Sequence, residues 1–422
     1  MFVFRQLKRT IALLLSLLPM QAQHISIPPA PLDAMIPMFH KWQMADAVRY
    51  VERADALGHK RVQFCIALQA ELDASHKVQT IGLYRDNREA GKPNALYPYD
   101  NEIHTELFGY LRDCFRAAEN KGIKISVLLH LNSHGAINEW RNNFDFDPLL
   151  PLQGVSYENG YFSTVMKALE ESISADHPAE ISVQGEMGKT VFLYPGSWKK
   201  LIENTRSKSK LKNARYGLSF NYQGVAGTAP LTDEKKEQLK SLWGVCDFIG
   251  ISMYQGVSLP PQASDFDLAL GLFLGEFYAR GCPLPVDKDI HFVEVGLGGG
   301  GLSSTDWQSH IPAKKAADAA RSPYLGAAIE TKINPWNTQD LNDLRIGYHE
   351  ALCEFLSQPR SRHTVTQAFL WNFGSWDPLG IENDTFADPQ IKAVVKSHNV
   401  QIHPTKKTTK PDSPTLPPLD EG

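Results

Sequence analysis

The chain lacks most of the signals that mark metal-binding, nucleic-acid-binding and membrane proteins. It has five cysteines, Cys65, Cys114, Cys246, Cys282 and Cys353, and no Cys-x-x-Cys spacing. A zinc site built from thiolates is therefore excluded. The odd count leaves at least one thiol unpaired. Cys65 and Cys246 stand in apolar, strand-like runs, where cysteine serves as a small core residue. Past the N-terminal segment, no apolar run is long enough to span a bilayer. The formal net charge is -4 and no basic stripe stands out, so nucleic acid is not an expected partner. No internal repeat is visible.

A phosphate-binding loop is also missing, although one stretch imitates it. "ISVQGEMGKT" (181–190) ends in Gly-Lys-Thr, but Val183 stands where the loop needs its first glycine. Pro195 and Gly196 interrupt a helix starting at Thr190, and that helix supplies half of such a site. "GLGGGG" (296–301) formally contains a dinucleotide-type glycine pattern, yet no apolar helix follows it. Its glycines are expected to let a loop pass close to bound substrate. His130 and His134 straddle a strand end rather than one helix face, a poor arrangement for a metal pair.

What is present begins with a secretory pattern. "MFVFRQLKRTIALLLSLLPMQA" has Arg5, Lys8 and Arg9, then an apolar run from Ile11 to Leu18 and a small residue at Ala22. Residues 1–22 read as a signal peptide, which implies a secreted or periplasmic protein. Removing three positive charges takes the net charge from -4 to -7. Residues 401–422, rich in Pro, Thr and Lys, have little to bury and read as a disordered tail.

Between them, residues 23–400 alternate short apolar runs with amphipathic stretches. Strands are expected at 35–39, 61–68, 123–130, 180–184, 215–222, 247–254, 290–295 and 365–371. Their near-continuous Val, Ile and Phe suit strands buried on both faces. Helical patterns such as "MADAVRYVERADALG" and "NEIHTELFGYLRDCFRAAENKG" lie between them and end at glycine. Eight such units predict a single (β/α)8 barrel in the α/β class. The surplus over the ~250 residues typical of that fold falls in long loops after strands, at 69–100, 131–157, 222–231, 255–262 and 296–339.

Chemistry on such a barrel comes from the C-terminal ends of strands. His130, Glu186, Asn221 with Tyr222, Tyr254, Glu294, and Trp371 with Asn372 stand there. Only Glu186 and Glu294 are carboxylates. They follow the fourth and seventh strands, on opposite sides of an eight-stranded ring, and would converge over the mouth. Two facing carboxyls suit glycosidic cleavage, one protonating the leaving oxygen and the other attacking or activating water. Trp371, Trp376, Trp336, Tyr254 and Tyr222 fall on or near the same face, where aromatic rings stack on sugars. No metal or cofactor is called for.

"VQGE" (183–186) and "VEVG" (293–296) resemble the acid/base and nucleophile strands of clan A glycoside hydrolases. The chain is most similar to glycoside hydrolase family 113, which includes β-mannanases and β-mannosidases. The resemblance covers residues 35–395 and includes "DFIGISMYQ", "NPWN", "GYHEAL" and "AFLWNF". It implies Glu186 as acid/base and Glu294 as nucleophile in a retaining mechanism on an oligo- or polysaccharide. It also implies that Tyr254 hydrogen-bonds the nucleophile, Trp371 floors the −1 subsite and Trp336 is a further platform. Clan A enzymes commonly carry Asn before the acid/base to bind the sugar 2-hydroxyl, and here that residue is Gly185. Gln184 or Asn221 is expected to take over, and His130 to donate to sugar. Two other classes stay open: a catalytically silent carbohydrate-binding barrel, and a metal-dependent hydrolase using His130 and His134.

Overall fold

The computed structural model describes residues 29–85, 95–301, 311–326, 333–358 and 363–402. The signal-type segment 1–22 and the tail beyond Ile402 lie outside the described residues. Ten strands occur in chain order: β1 (Leu32–Met38), β2 (Arg61–Leu72), β3 (Val78–Arg85), β4 (Ala95–Pro98), β5 (Lys124–His134), β6 (Ala179–Gly185), β7 (Ala214–Asn221), β8 (Phe248–Met253), β9 (Asp289–Val295) and β10 (Val365–Leu370). Eight pair in parallel in the order β1-β10-β9-β8-β7-β6-β5-β2, and β1 pairs with β2 to close the barrel. β3 continues antiparallel from the end of β2, and β4 from β3.

Alternation along each strand separates two cores. In β2, Phe64, Ile66 and Leu68 face outward into the large core shared with the helices. Cys65 and Ala67 face inward, into a smaller cluster with Met35, Phe39, Leu128, Val293 and Phe369. The barrel interior is thus packed rather than open, with polar groups at its two ends. At the N-terminal end, buried Glu180 pairs with Arg61 at 3.0 Å and Arg215 at 3.1 Å.

Ten helices surround the strands among the described residues: α1 (Lys41–Ala56), α2 (Asn101–Asn120), α3 (Ser163–Ser172), α4 (Gly188–Leu193), α5 (Pro195–Lys208), α6 (Asp233–Val245), α7 (Ala263–Ala279), α8 (Ala316–Arg321), α9 (Gln339–Ser357) and α10 (Pro389–Ile402). Local chemistry sets several starts. Asp100 accepts from Ile103 N to cap α2, Thr232 accepts from Lys235 N to cap α6, and Pro195 opens α5. Among the described residues, no helix is long and apolar enough to cross a membrane.

All eight expected barrel strands form, within a few residues of their expected bounds. The differences lie at strand ends. β2 and β5 run four residues further than the apolar pattern suggests, to Leu72 and His134. Their extensions pair with each other through Glu71 and His134 and carry the β3–β4 hairpin, where a loop was expected over 69–100. α10 takes in Gln401 and Ile402, the first two residues of the expected tail.

Candidate active site

Glu186 follows β6 with a φ of +58°, a left-handed conformation unusual for any residue but glycine. Ser219 O holds this turn, accepting from both Glu186 N and Gln184 Nε2 at 2.9 Å. Gln184 Oε1 accepts from Met187 N at 2.8 Å. Both ends of the Gln184 amide are therefore spent on backbone. It braces the turn that aims Glu186 and is not free for the 2-hydroxyl duty expected of it.

The Glu186 carboxylate is buried and well supplied with donors. Asn221 Nδ2 donates to Oε1 at 2.9 Å, and Arg141 Nη1 meets Oε2 at 2.6 Å. Trp140 Nε1 reaches the same oxygen at 3.4 Å. Arg141 is itself fixed by Leu131 O and Asn132 Oδ1 at the end of β5. Tyr222 lies close by, and burial, with Tyr324 and Glu186 nearby, pushes its phenol up to about 12.

Glu294 sits where β9 and β8 lose register. Tyr254 Oη donates to its Oε2 at 3.1 Å. His130 Nε2 lies 3.0 Å from Oε1, but the two atoms are not aligned as a hydrogen bond. Burial pushes the Glu294 carboxyl up to about 7, against the opposing pull of Arg141 and of the Tyr254 hydroxyl. Burial acts in the opposite direction on His130. Burial, then Arg141, holds its imidazole well below the usual range, against the pull of Glu186, so the ring is neutral. Glu186 also adds to the upward push on Tyr254, after burial and Glu294. The carboxylates of the fourth and seventh barrel strands thus act on one set of neighbours.

Trp371 follows β10, half-buried, stacked on Phe39 with ring centroids 5.3 Å apart and 6.3 Å from the His130 ring. Trp336 is placed differently. It is buried, its Nε1 donates to Ser375 O, and the Arg345 guanidinium lies 4.7 Å from its ring centroid. Trp376 is also buried and bonds Pro323 O. Two glycines of 296–301 make room for these rings. A Cβ at Gly298 would lie 2.4 Å from Trp376, and one at Gly299 would lie 2.8 Å from Trp336.

Two metal arrangements can be weighed on geometry. His130 and His134 both lie in β5, four residues apart, which separates them by ~13 Å along an extended strand. They cannot share an ion. Among the described residues, Cys65, His130 and Glu294 form the one trio whose ligand atoms lie within 4.8 Å of each other. Yet Cys65 Sγ faces His130 Nδ1 at 3.6 Å, while Glu294 faces Nε2 on the other edge of the ring.

Trp140, Arg141 and Cys65 are the site neighbours that the sequence did not single out. The first two sit in an irregular loop with no periodic pattern. Cys65 looked like core filling.

The fold and the strand ends together define a (β/α)8 barrel with two buried carboxylates at its mouth. No family model and no curated protein sequence matches the chain. Solved structures do. A family 113 β-1,4-mannanase superposes with a TM-score of 0.52 at 15% identity, over 89% of this chain and 99% of that one. The family 113 β-mannanase from Alicyclobacillus acidocaldarius, in complex with ManMIm, gives 0.50 at 12% identity over 90% and 100%. The barrel of this chain is similar to theirs from end to end.

Proposed function

We propose that the protein is a secreted or periplasmic glycoside hydrolase that cleaves β-mannosides with retention, using Glu294 as nucleophile and Glu186 as acid/base. The observation that carries this is the placement of the two buried glutamates after the fourth and seventh barrel strands, each with its own set of donors. The β-mannanase neighbours lend the substrate class, and the N-terminal pattern lends the location.

The steps follow from the roles. A Glu294 oxygen attacks the anomeric carbon as the glycosidic C–O bond breaks, and the leaving oxygen takes the proton of Glu186. Glu186, now a carboxylate, draws a proton from water. That water attacks the anomeric carbon and releases Glu294. Tyr254 holds the nucleophile, Asn221 and Arg141 orient the acid/base, and Trp371 presents a ring face to the sugar.

One observation favours a second reading with the roles exchanged. The Arg141–Glu186 pair is an ion pair only when Glu186 is ionised, whereas burial raises Glu294 to about 7. On that reading Glu294 is the acid and Glu186 the nucleophile. Leaving-group dependence separates them. Replacing the acid spares activated aryl glycosides, because these need little protonation, while replacing the nucleophile abolishes turnover of all substrates. Glu186→Ala sparing an activated aryl β-mannoside while Glu294→Ala loses it supports the first assignment. The opposite pattern supports the exchange. Equal, mild losses from both would refute a catalytic pair. Saturable sugar binding without turnover by the unmodified protein would leave a silent binding barrel.

A further inference from the structure

Gly185 and His130 occupy one space between them. A Cβ at residue 185 would lie 2.4 Å from His130 Cδ2, 2.5 Å from His130 Nε2 and 2.7 Å from Leu128. No side chain fits there while the ring stays. Glycine beside Glu186 is therefore what seats the imidazole at the centre of the mouth.

Two polar atoms in that space lack an aligned partner: His130 Nε2 and Glu294 Oε1, both buried and 3.0 Å apart. Groups left unsatisfied at such depth are costly, and each asks for a partner supplied from elsewhere. The chemistry of that partner can be worked out. Burial keeps the Cys65 thiol protonated, and its sulfur lies 3.6 Å from Nδ1 of a neutral ring. A neutral imidazole has one donor and one acceptor nitrogen. With the S–H donating to Nδ1, the ring proton sits on Nε2. The space then offers one donor, Nε2–H, and one acceptor, Oε1. A hydroxyl satisfies both at once. An ammonium cannot accept, and a carboxylate cannot donate.

We infer that His130 Nε2 and Glu294 Oε1 bind the sugar hydroxyl next to the reacting carbon, the 2-hydroxyl, and that Cys65 is a positioning residue that sets the imidazole tautomer. The inference rests on the glycosidase reading above. With Glu294 Oε2 bonding the anomeric carbon, Oε1 lies beside the neighbouring carbon and its substituent. Hydrogen bonds to that hydroxyl strengthen in the transition state, so the pair contributes to rate as well as to binding. The geometry also accounts for Gly185. The duty of an amide at that position passes to an imidazole from the adjacent strand, which needs the room.

The test compares an aryl β-mannoside with its 2-deoxy analogue. His130→Ala is expected to lower kcat/KM for the parent by ~100-fold and to change little for the 2-deoxy compound. Gly185→Ala displaces the ring without removing it and is expected to show the same dependence on the 2-hydroxyl. This second variant guards against a folding defect in the first. Cys65→Ala is expected to give a smaller loss, again confined to the parent, and Cys65→Ser, which keeps an O–H donor, to restore most of it. Equal losses on both substrates for His130→Ala and Gly185→Ala would overturn the inference and leave the glycosidase reading standing. Failure of the unmodified protein to turn over either compound would overturn both.

Discussion

Arg141 Nη1 lies 2.6 Å from Glu186 Oε2, and the same guanidinium is tied to Leu131 O and Asn132 Oδ1 at the end of β5. A planar fork fixed at two other points gives the Glu186 carboxylate a set direction. Arg141 also holds the Glu294 and His130 titrations down. Arg141→Lys keeps a charge but loses the fork. It is expected to lower kcat/KM by roughly 10- to 100-fold, in the range of a lost charge-assisted hydrogen bond. Arg141→Ala is expected in addition to move the Glu294 titration upward, read as a shift of the pH profile.

That profile has a definite sign. As nucleophile, Glu294 must be ionised, and burial raises it to about 7. The kcat/KM profile, which reports the free enzyme, is then expected to rise with pH through about 7. If Glu294 is instead the acid, activity falls as pH rises through the same value. Rates from pH 4 to 9 on one activated substrate decide between them.

The buried carboxyl also costs stability. Its value is raised from the ordinary 4.5 to about 7 in the folded protein, so the folded state favours the protonated form. The cost is absent below pH 4.5, where the group is protonated in both states, grows as pH rises towards 7, and is fully present above that. Glu294→Gln removes the ionisation cost. It is expected to raise stability by about 1–3 kcal/mol at pH 8 and by little at pH 4, measured by thermal melting at both values.

The two tryptophans differ in kind. Trp371→Ala is expected to raise KM for oligosaccharides strongly, because its half-buried ring stands beside His130. Trp336 is packed under Arg345 and against Gly299. Trp336→Ala is expected to cost about 3–5 kcal/mol of stability through the cavity it leaves. Melting curves run beside KM measurements separate the two effects.

Much of this was legible in the sequence, for reasons that can be named. Runs such as "RVQFCIAL" are buried on both faces, so apolarity alone located the barrel strands, and position at a strand end singled out Glu186, Glu294, Tyr254, Asn221 and His130. The same double burial hid which residues face inward, so Cys65 read as core when it touches His130. Gln184 looked available for sugar because nothing in the sequence announces the left-handed turn at Glu186 that its amide must brace. Trp140 and Arg141 come to the site only through the path of a long loop, which tertiary packing sets and periodicity does not encode. Gly185 departs visibly from the clan A pattern, but its partner in space, His130, lies on another strand.

The most direct measurement is product release from β-1,4-linked mannooligosaccharides by the purified protein, beside its Glu294→Ala and Glu186→Ala variants. The assignment predicts turnover by the unmodified protein, none by Glu294→Ala, and strongly reduced turnover by Glu186→Ala on these poor leaving groups. Undiminished release by Glu294→Ala would contradict it.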